Sequence, residues 1–186
     1  ILQGTAFDRY NQKVLAVPYP EHDSLFFLFH INYDFLNNYR SQLLYSIVNM
    51  NMDSGRGGVE YVQRNIPLLG NTNVFFKLTA ILHCNKKDIW IVGHIANSDK
   101  YFAYLVTASG ISSTPVYSTG NFIPSINYPD SAGHPVLAGC IKVSPLGNKF
   151  AAAFTSYNFI ELGDFDTQTG MVSNVKKIIA APPPAD

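Results

Sequence analysis

Charge and cysteine are both scarce in this chain. Only 14% of its 186 residues are charged, 13 basic residues balance 13 acidic ones, and there are two cysteines. Without net or clustered positive charge, the chain has no electrostatic attraction for nucleic acid or for an anionic membrane, so neither is expected as a partner. No apolar run approaches the roughly 20 residues that cross a bilayer, so membrane insertion is not expected.

Long stretches of helical periodicity are also missing, and short apolar runs stand in their place. Val, Ile, Phe, Tyr and Leu gather in runs of four to eight residues separated by Gly, Pro, Asn and Asp. Such runs predict strands rather than helices. With 47% hydrophobic residues the strands can bury a core, so the chain is expected to be all-β.

Three stretches of the chain read alike, each an apolar run, a polar turn, a second apolar run and a hairpin. The second runs begin at Leu25, Ile89 and Phe150, a period of about 62 residues, which suits a β-propeller blade with long loops. We predict a β-propeller domain over 1–180, with about three four-stranded antiparallel blades in repeats at about 14–64, 78–119 and 140–180. Propellers use typically four to eight blades. The predicted ring is therefore partial, and further blades from the same protein or another chain are predicted partners.

The predicted strands follow from these runs and from the turns between them. The turns between third and fourth strands each contain a Gly, which tolerates the positive φ of a tight turn. A proline triplet within 181–186 cannot continue a strand ladder and is read as a linker or tail. In chain order the predicted strands are 14–19, 25–32, 43–51, 59–64, 78–83, 89–95, 101–108, 115–119, 140–144, 150–156, 159–166 and 175–180.

The two cysteines occupy different places in their repeats. Cys84 closes the first apolar run of the middle repeat, whereas Cys140 opens that of the third. Superposed repeats would set them about four residues, or roughly 13 Å, apart along the strand direction. Because a disulfide needs Cα atoms within roughly 7 Å, we expect two free thiols, both buried as small hydrophobic groups.

Several segments, in order along nearly the whole chain, resemble one protein family. The segment KLTAILHCNKKDIWIV (77–92) is the most distinctive, and the others are 45–52, 102–111, 141–149, 159–166 and 169–174. Together they resemble the N-terminal β-propeller region of large surface or secreted Bacteroidetes proteins, which often end in gliding-motility-associated or type IX secretion sorting domains. The resemblance implies a propeller exported to the envelope or beyond, and it supplies no catalytic residues to transfer.

The histidines and the acidic turn carry weak signals for metal chemistry. His30 and His94 end the second strands of their repeats, where the third has Thr155, so both are predicted to have a structural role, such as a hydrogen bond to the next blade's backbone. His83 beside Cys84 lacks metal-ligand spacing. The segment 164–170 has its Gly one place too late for a calcium loop, and it predicts a hairpin turn, as does the Gly-rich segment 54–58. No metal and no cofactor are expected.

Two long loops are the best candidates for ligand contact. In a propeller, the turns between second and third strands and the connections between blades open on one face. Their aromatic, amide and charged side chains could hold a sugar or a peptide. The alternative is that such loops pack on their own aromatic residues. From loops 33–40 and 121–137 the predicted ligand-binding residues are Tyr33, Asn37, Tyr39, Arg40, Tyr128, Asp130 and His134.

These observations favour a non-catalytic recognition or adhesion module of a secreted or cell-surface protein, binding glycan or protein. One alternative is a propeller hydrolase or lyase acting on polysaccharide, with Asp34, Asp99 and Asp130 meeting at the axial mouth. Another is a structural spacer in a large adhesin. The sequence contains no nucleophile elbow and no catalytic box to support an enzyme directly.

Overall fold

The computed structural model describes residues 12–34, 40–124 and 137–179. These ranges are built from strands, with single 3₁₀ turns at Asp53–Gly55 and Thr155–Tyr157, and within them no helix is long and apolar enough to cross a membrane. The strands are β1 (Val14–Pro18), β2 (Leu25–Asp34), β3 (Arg40–Asn49), β4 (Gly58–Val59), β5 (Ile66–Pro67), β6 (Val74–Leu82), β7 (Ile89–Ile95), β8 (Ser98–Thr107), β9 (Gly110–Ile111), β10 (Val116–Ile123), β11 (Gly139–Val143), β12 (Lys149–Phe154), β13 (Phe159–Phe165) and β14 (Val172–Ile179).

The strands form three antiparallel sheets in chain order. Sheet A has the order β1-β2-β3, with β4 and β5 both paired to β3. Sheet B has the order β6-β7-β8-β10, with the short β9 also on β8, and sheet C is β11-β12-β13-β14. The prediction of an all-β chain made of antiparallel sheets is confirmed.

The fourth strand of the first repeat differs from its prediction. A strand was expected over 59–64, but only Gly58–Val59 and Ile66–Pro67 pair with β3. Asn65 has a φ of 57°, a left-handed conformation that no strand continues through. Glu60 instead accepts a hydrogen bond from Asn49 Nδ2 at 2.7 Å. The segment 60–65 therefore forms an irregular edge of sheet A instead of a continuous strand paired with β3.

The first hairpins of the three sheets share one closing hydrogen bond, which fixes their equivalent positions. The bonds run from Tyr19 N to Leu25 O, from His83 N to Asp88 O and from Ser144 N to Lys149 O, at 2.8–2.9 Å. Positions an even number of residues after Leu25, Asp88 and Lys149 are therefore equivalent and lie on one face of each sheet. We call this face, which in sheets A and B meets the next sheet, the forward face, and the opposite one the rear face.

The sheets pack forward face against rear face. From the forward face of sheet A, Tyr33 packs edge-on against Phe76 of β6, with ring centroids 5.2 Å apart. From that of sheet B, the Trp90 indole N–H donates to the carbonyl of Thr167 at 2.8 Å, and the chain's single tryptophan is 5% exposed. Phe150 on the rear face of sheet C meets Tyr101 of sheet B at 5.1 Å. Sheet B is thus covered on both faces.

The first strands of the sheets lie side by side. Strand β6 contacts both β1 and β11, and the Phe76 amide donates to the carbonyl of Leu137 at 2.9 Å. The Gln12 side-chain oxygen accepts a hydrogen bond from the Ile141 amide of β11 at 2.8 Å. The starts of these three strands therefore converge, and the turns between second and third strands open at the same end of the molecule.

The cysteines are free, as predicted, but they are not buried. Both Cys84 and Cys140 are exposed. Cys84 lies in the β6–β7 turn, and Cys140 lies on the forward face of sheet C, which no described residue of another sheet covers. The prediction that both thiols are buried is therefore wrong, because Cys84 lies in a turn and Cys140 lies on an uncovered face.

Candidate functional site: the loop face and the buried polar cluster beneath it

The loop face is the end of the molecule that carries the β2–β3, β7–β8 and β12–β13 turns and the connections into β6 and β11. Arg40 is exposed there, and its guanidinium donates to Asn71 Oδ1 at 3.0 Å. Gln42 Nε2 donates to the carbonyl of Gly70 at 3.1 Å. Phe122, at the end of β10, is 62% exposed. The loop face therefore presents a cation, amides and an aromatic ring to solvent.

Tyr33 does not belong to this surface. It is 1% exposed and packs in the core between sheets A and B. Strand alternation explains its position, because Tyr33 follows Phe27, Phe29 and Ile31 along the forward face of β2. The sequence analysis placed it in a loop because β2 was expected to end at Asn32 and instead runs to Asp34. Arg40 is the predicted ligand-binding residue that the structure places on the loop face.

The other predicted ligand-binding residues lie outside the described residues. The same applies to Asp130, one of the three carboxylates of the hydrolase alternative, and to the Pro-rich tail. Asp99, the second carboxylate, is half-buried near the start of β8. The predicted residues outside the described ranges are Asn37, Tyr39, Tyr128, Asp130 and His134.

A buried lysine occupies the interface between sheets B and C just below the loop face. Lys77 of β6 is fully buried, and its Nζ donates to the carbonyl of Ala153 at 2.9 Å. The ammonium also lies 3.0 Å from the ring centroid of Phe154, a cation–π contact. Burial lowers the pKa of Lys77 well below its ordinary value, and the nearby Glu161 carboxylate opposes that shift.

Glu161 is the acidic partner of this cluster and is also fully buried. The Tyr101 hydroxyl donates to its Oε2, while Oε1 accepts the Asn121 amide at 3.0 Å and Asn121 Nδ2 at 2.7 Å. Three donors from sheet B thus meet one carboxylate of sheet C. Burial raises the pKa of Tyr101, and the Glu161 charge raises it further, so Tyr101 remains a hydrogen-bond donor.

His94 completes the cluster on the forward face of β7. Its Nδ1 donates to the carbonyl of Ile95 at 2.7 Å, and its Nε2 is buried with no hydrogen-bond partner among the described residues. Burial and the positive charge of Lys77 lower the pKa of His94 to about 3, so the ring is neutral. The ring packs against Tyr101 and Phe154, with centroids 4.5 and 5.3 Å away.

His30 and His94 are not equivalent, contrary to the sequence-based prediction. The closing hairpin bonds make His94 equivalent to Ile31 and Thr155, while His30 lies on the rear face of sheet A. His30 is buried, and this burial lowers its pKa. The predicted bond from His94 to the next sheet's backbone is wrong, because its Nδ1 bonds to the residue that follows it.

Hydrogen bonds in and beside the cluster hold the residues on either side of the connection between β10 and β11. Glu161 fixes Asn121, and the Tyr157 hydroxyl donates to the carbonyl of Pro124 where the connection leaves the sheet. Where it returns, the carbonyl of Leu137 accepts the Phe76 amide, beside Lys77. The described residues on either side of the connection, Pro124 and Leu137, are therefore both hydrogen-bonded to the sheets.

Sequence reasoning missed the cluster, although a signal was present. Lys77 interrupts the apolar run 74–82, and in strand alternation Glu161 shares the interior face with Phe159 and Phe165. A charged residue at an interior position of a strand usually has a buried partner. Lys13 repeats the pattern in sheet A, where it is equivalent to Lys77, and its Nζ lies 4.9 Å from the centroid of the Phe76 ring in sheet B.

The acidic turn at 164–170 is a hairpin, as predicted. Asp166 accepts hydrogen bonds from the Gln168 amide and the Thr169 hydroxyl, both at 2.8 Å, and Gly170 has a φ of 73°. Asp164 pairs with Lys149 and accepts Asn174 Nδ2 at 2.7 Å. Across the described ranges no three His, Cys, Asp or Glu side chains gather closely enough to hold a metal ion.

Comparison with known proteins yields one distant structural likeness. No family model matches the chain, and no curated protein matches it. An exo-β-1,3-galactanase from Clostridium thermocellum has a similar arrangement, with a TM-score of 0.47 and 11% identity over 97% of this chain. The chain spans 41% of the length of that enzyme. At this identity and TM-score the activity of the enzyme is not transferred to the chain.

Proposed function

We propose that this chain is a non-catalytic β-propeller-type recognition module that binds a glycan or a protein ligand through the loop face. The observation that carries the proposal is the buried cluster of Lys77, Tyr101, Asn121 and Glu161, which fixes Asn121 just ahead of the connection between β10 and β11. Burying charged groups costs several kcal/mol each, and apolar packing would stabilise the same interface as well or better. A buried charged network is therefore better explained by a need for fixed geometry at the loop it holds.

The exposed side chains of the loop face suit recognition. Arg40, Asn71 and Phe122 combine directional hydrogen bonding with a flat apolar surface, which sugars and peptides both use. Tyr128, Asp130 and His134, which the sequence offers as ligand-binding residues, are proposed to belong to the same binding surface. A ligand-binding loop with fixed ends loses less conformational entropy on binding than a free one.

The proposal places the module at the cell surface or outside the cell, in a protein of the Bacteroidetes surface type that the sequence resembles. The three antiparallel sheets in chain order are compatible with three propeller blades. Further blades would complete the ring.

A glycan array followed by titration of the captured saccharide tests the function. Tyr39→Ala, Tyr128→Ala and Phe122→Ala should each weaken binding about tenfold or more, as expected for aromatic anchors of an interface. The matched control is Tyr61→Ala, which removes a tyrosine that is 80% exposed at the outer edge of sheet A, away from the loop face. A parallel arm uses purified candidate protein ligands.

Two outcomes contradict the proposal. Unchanged affinity in all three loop-face variants would move the binding site elsewhere on the molecule. Loss of affinity in Tyr61→Ala alone would place it at the edge of sheet A. Circular dichroism of each variant establishes that a loss of binding is not a loss of fold.

A further inference from the structure

Within the described ranges no residue of another sheet covers the forward face of sheet C, although the equivalent faces of sheets A and B are covered. Phe27 and Phe29 in sheet A are 2% and 0% exposed, and Trp90 and Val92 in sheet B are 5% and 1% exposed. The equivalent residues of sheet C are Ala151, which is exposed, and Ala153. Ile160 and Leu162, which pair with these two alanines, are each 39% exposed.

This open face has a shape that could receive another sheet. At its centre the small side chains of Ala151 and Ala153 on β12 lie beside the larger side chains of Leu162 and Ile160 on β13, so the surface is recessed along β12 and protrudes along β13. A wide cavity of about 720 Å³ adjoins it, lined among others by Leu162, Gly163 and Lys176. Sheets A and B fill the same position with the rear face of the next sheet.

The chain also has an open strip of the complementary kind. Val14 on the rear side of β1 is 63% exposed, and Ala16 and Pro18 beyond it are exposed too. The equivalent of Val14 in sheet B is Leu78, which is 3% exposed because it faces sheet A. In sheet C, Ile141 of β11 is the equivalent of Ala16 in β1, and it is fully buried against sheet B.

We propose that a second copy of this chain occupies the open face of sheet C, placing the rear side of its β1 there. In sheets B and C the rear-side residues of the first strand, Leu78 and Ile141, make the corresponding contact within the chain, so the proposed contact continues an interface the molecule already uses. The centre of the rear face of sheet A, where His30, Leu44 and Ser46 are buried, takes no part in it. Head-to-tail contacts of this kind form a closed ring when their rotation closes.

The charges of the open face favour this arrangement over two sheet C faces packed on each other. Lys142 and Lys176 flank the apolar centre. A symmetric pairing would bring these lysines close to their own copies, and like charges at an interface cost several kcal/mol. The β1 strip consists of Val14, Ala16 and Pro18, which bear no charge.

Sedimentation velocity of the whole chain over a range of concentrations tests the proposal. The wild type should reach about twice the 20.6 kDa of one chain. Leu162→Glu and Val14→Glu, which modify opposite sides of the same proposed contact, should each remain monomeric. The control is Leu146→Glu, which adds the same charge at a leucine that is 86% exposed in the β11–β12 turn and should leave association unchanged.

Mixing the two monomeric variants separates head-to-tail from symmetric association. The Val14→Glu chain keeps an intact sheet C face, and the Leu162→Glu chain keeps an intact β1 strip, so their equimolar mixture should associate through one native contact. If Leu162→Glu alone disrupts the dimer, two sheet C faces pair and the proposal is wrong. A wild type that stays monomeric at all concentrations overturns it and leaves the face to a sheet of another protein. Since both substitutions lie at exposed positions, far-UV circular dichroism should match the wild type.

Discussion

Two opposite charges lie fully buried between sheets B and C, and they are satisfied in different ways. Glu161 accepts three hydrogen bonds, whereas Lys77 has one carbonyl acceptor and an aromatic ring. The carboxylate is therefore the better solvated of the two by the protein, and it joins the two sheets through Tyr101 and Asn121. The lysine has fewer partners to replace its lost hydration, and burial therefore lowers its pKa although the Glu161 charge opposes the shift.

Glu161→Gln should destabilise the chain by about 2–4 kcal/mol, the range for breaking a buried charged network. Both oxygens of Glu161 receive donors, so the amide nitrogen of glutamine must face a donor whichever way it turns. Urea unfolding measures the effect. Glu60→Gln, the same change at a half-buried site with one donor, should cost less than about 1 kcal/mol. Equal costs at the two sites would contradict the central role of the cluster.

The stability of the chain should fall in weak acid because of His94. Its folded pKa is about 3, below the ordinary 6.5, so on acidification the unfolded chain binds a proton that the folded chain refuses. The stabilisation is therefore complete above about pH 6.5 and is lost as the pH falls towards 3, by up to about 1.4 kcal/mol per pH unit. His30, whose pKa is also lowered, acts in the same direction.

Urea unfolding between pH 6.5 and 4.5 tests this dependence. His94→Gln should flatten the slope, because glutamine does not titrate. His22→Gln, at an exposed turn beside Tyr19, is the matched histidine replacement outside the core. An unchanged slope in His94→Gln would mean that other groups control the acid limb.

At the scale of elements, the sequence predicted strands best where alternation and hairpin turns agree. β7 was predicted at its observed limits, because Asn85 to Asp88 form a polar turn before it and Ala96 to Asn97 follow it. β3 and β14 begin three residues earlier than predicted, since pairing with a neighbour extends a strand beyond its apolar run. Only tertiary packing shows that the irregular edge at 60–65 leaves the ladder.

The candidate site was harder to predict than the strands. Residue type and loop length indicated the loop face and Arg40. Tyr33 was not predicted correctly, because β2 continues to Asp34 and strand alternation directs Tyr33 into the core. The cluster depends on Lys77, Tyr101 and Glu161, which are separated by 24 and 60 residues in the chain and meet only when sheets B and C pack. A single sequence does not show how sheets B and C pack, so it does not show that these three side chains meet in space.

Gly93→Ala tests the packing of β7 on its neighbours. A Cβ at this position would lie 2.4 Å from Phe102 Cζ and 3.2 Å from Leu78 Cδ2, so ring and strand must move. Overpacking of this kind costs typically 1–3 kcal/mol. Thermal unfolding should show a lowered midpoint, while Ser113→Thr, which also adds one methyl group but at an exposed turn, should be nearly neutral. A neutral Gly93→Ala would show that the sheet has room to relax there.

At the scale of the molecule, sheet B is the middle layer, and its stability should exceed that of the other two. Sheet A covers its rear face and sheet C its forward face, and β7 is almost entirely buried. Hydrogen exchange measured by mass spectrometry should find the amides of β7 and β8 the slowest. Those of β14, an edge strand with mostly exposed side chains, should exchange early. Faster exchange in β7 than in β14 would contradict this order.

The position of Trp90 gives the interface between sheets B and C an optical reporter. The indole is 5% exposed, donates to the carbonyl of Thr167 and contacts the Gly170 turn. As the single tryptophan of the chain, it supplies the whole fluorescence excited at long ultraviolet wavelengths. Its emission should lie to the blue in the folded chain and move to the red when sheet C separates from sheet B, whether or not sheet A has unfolded.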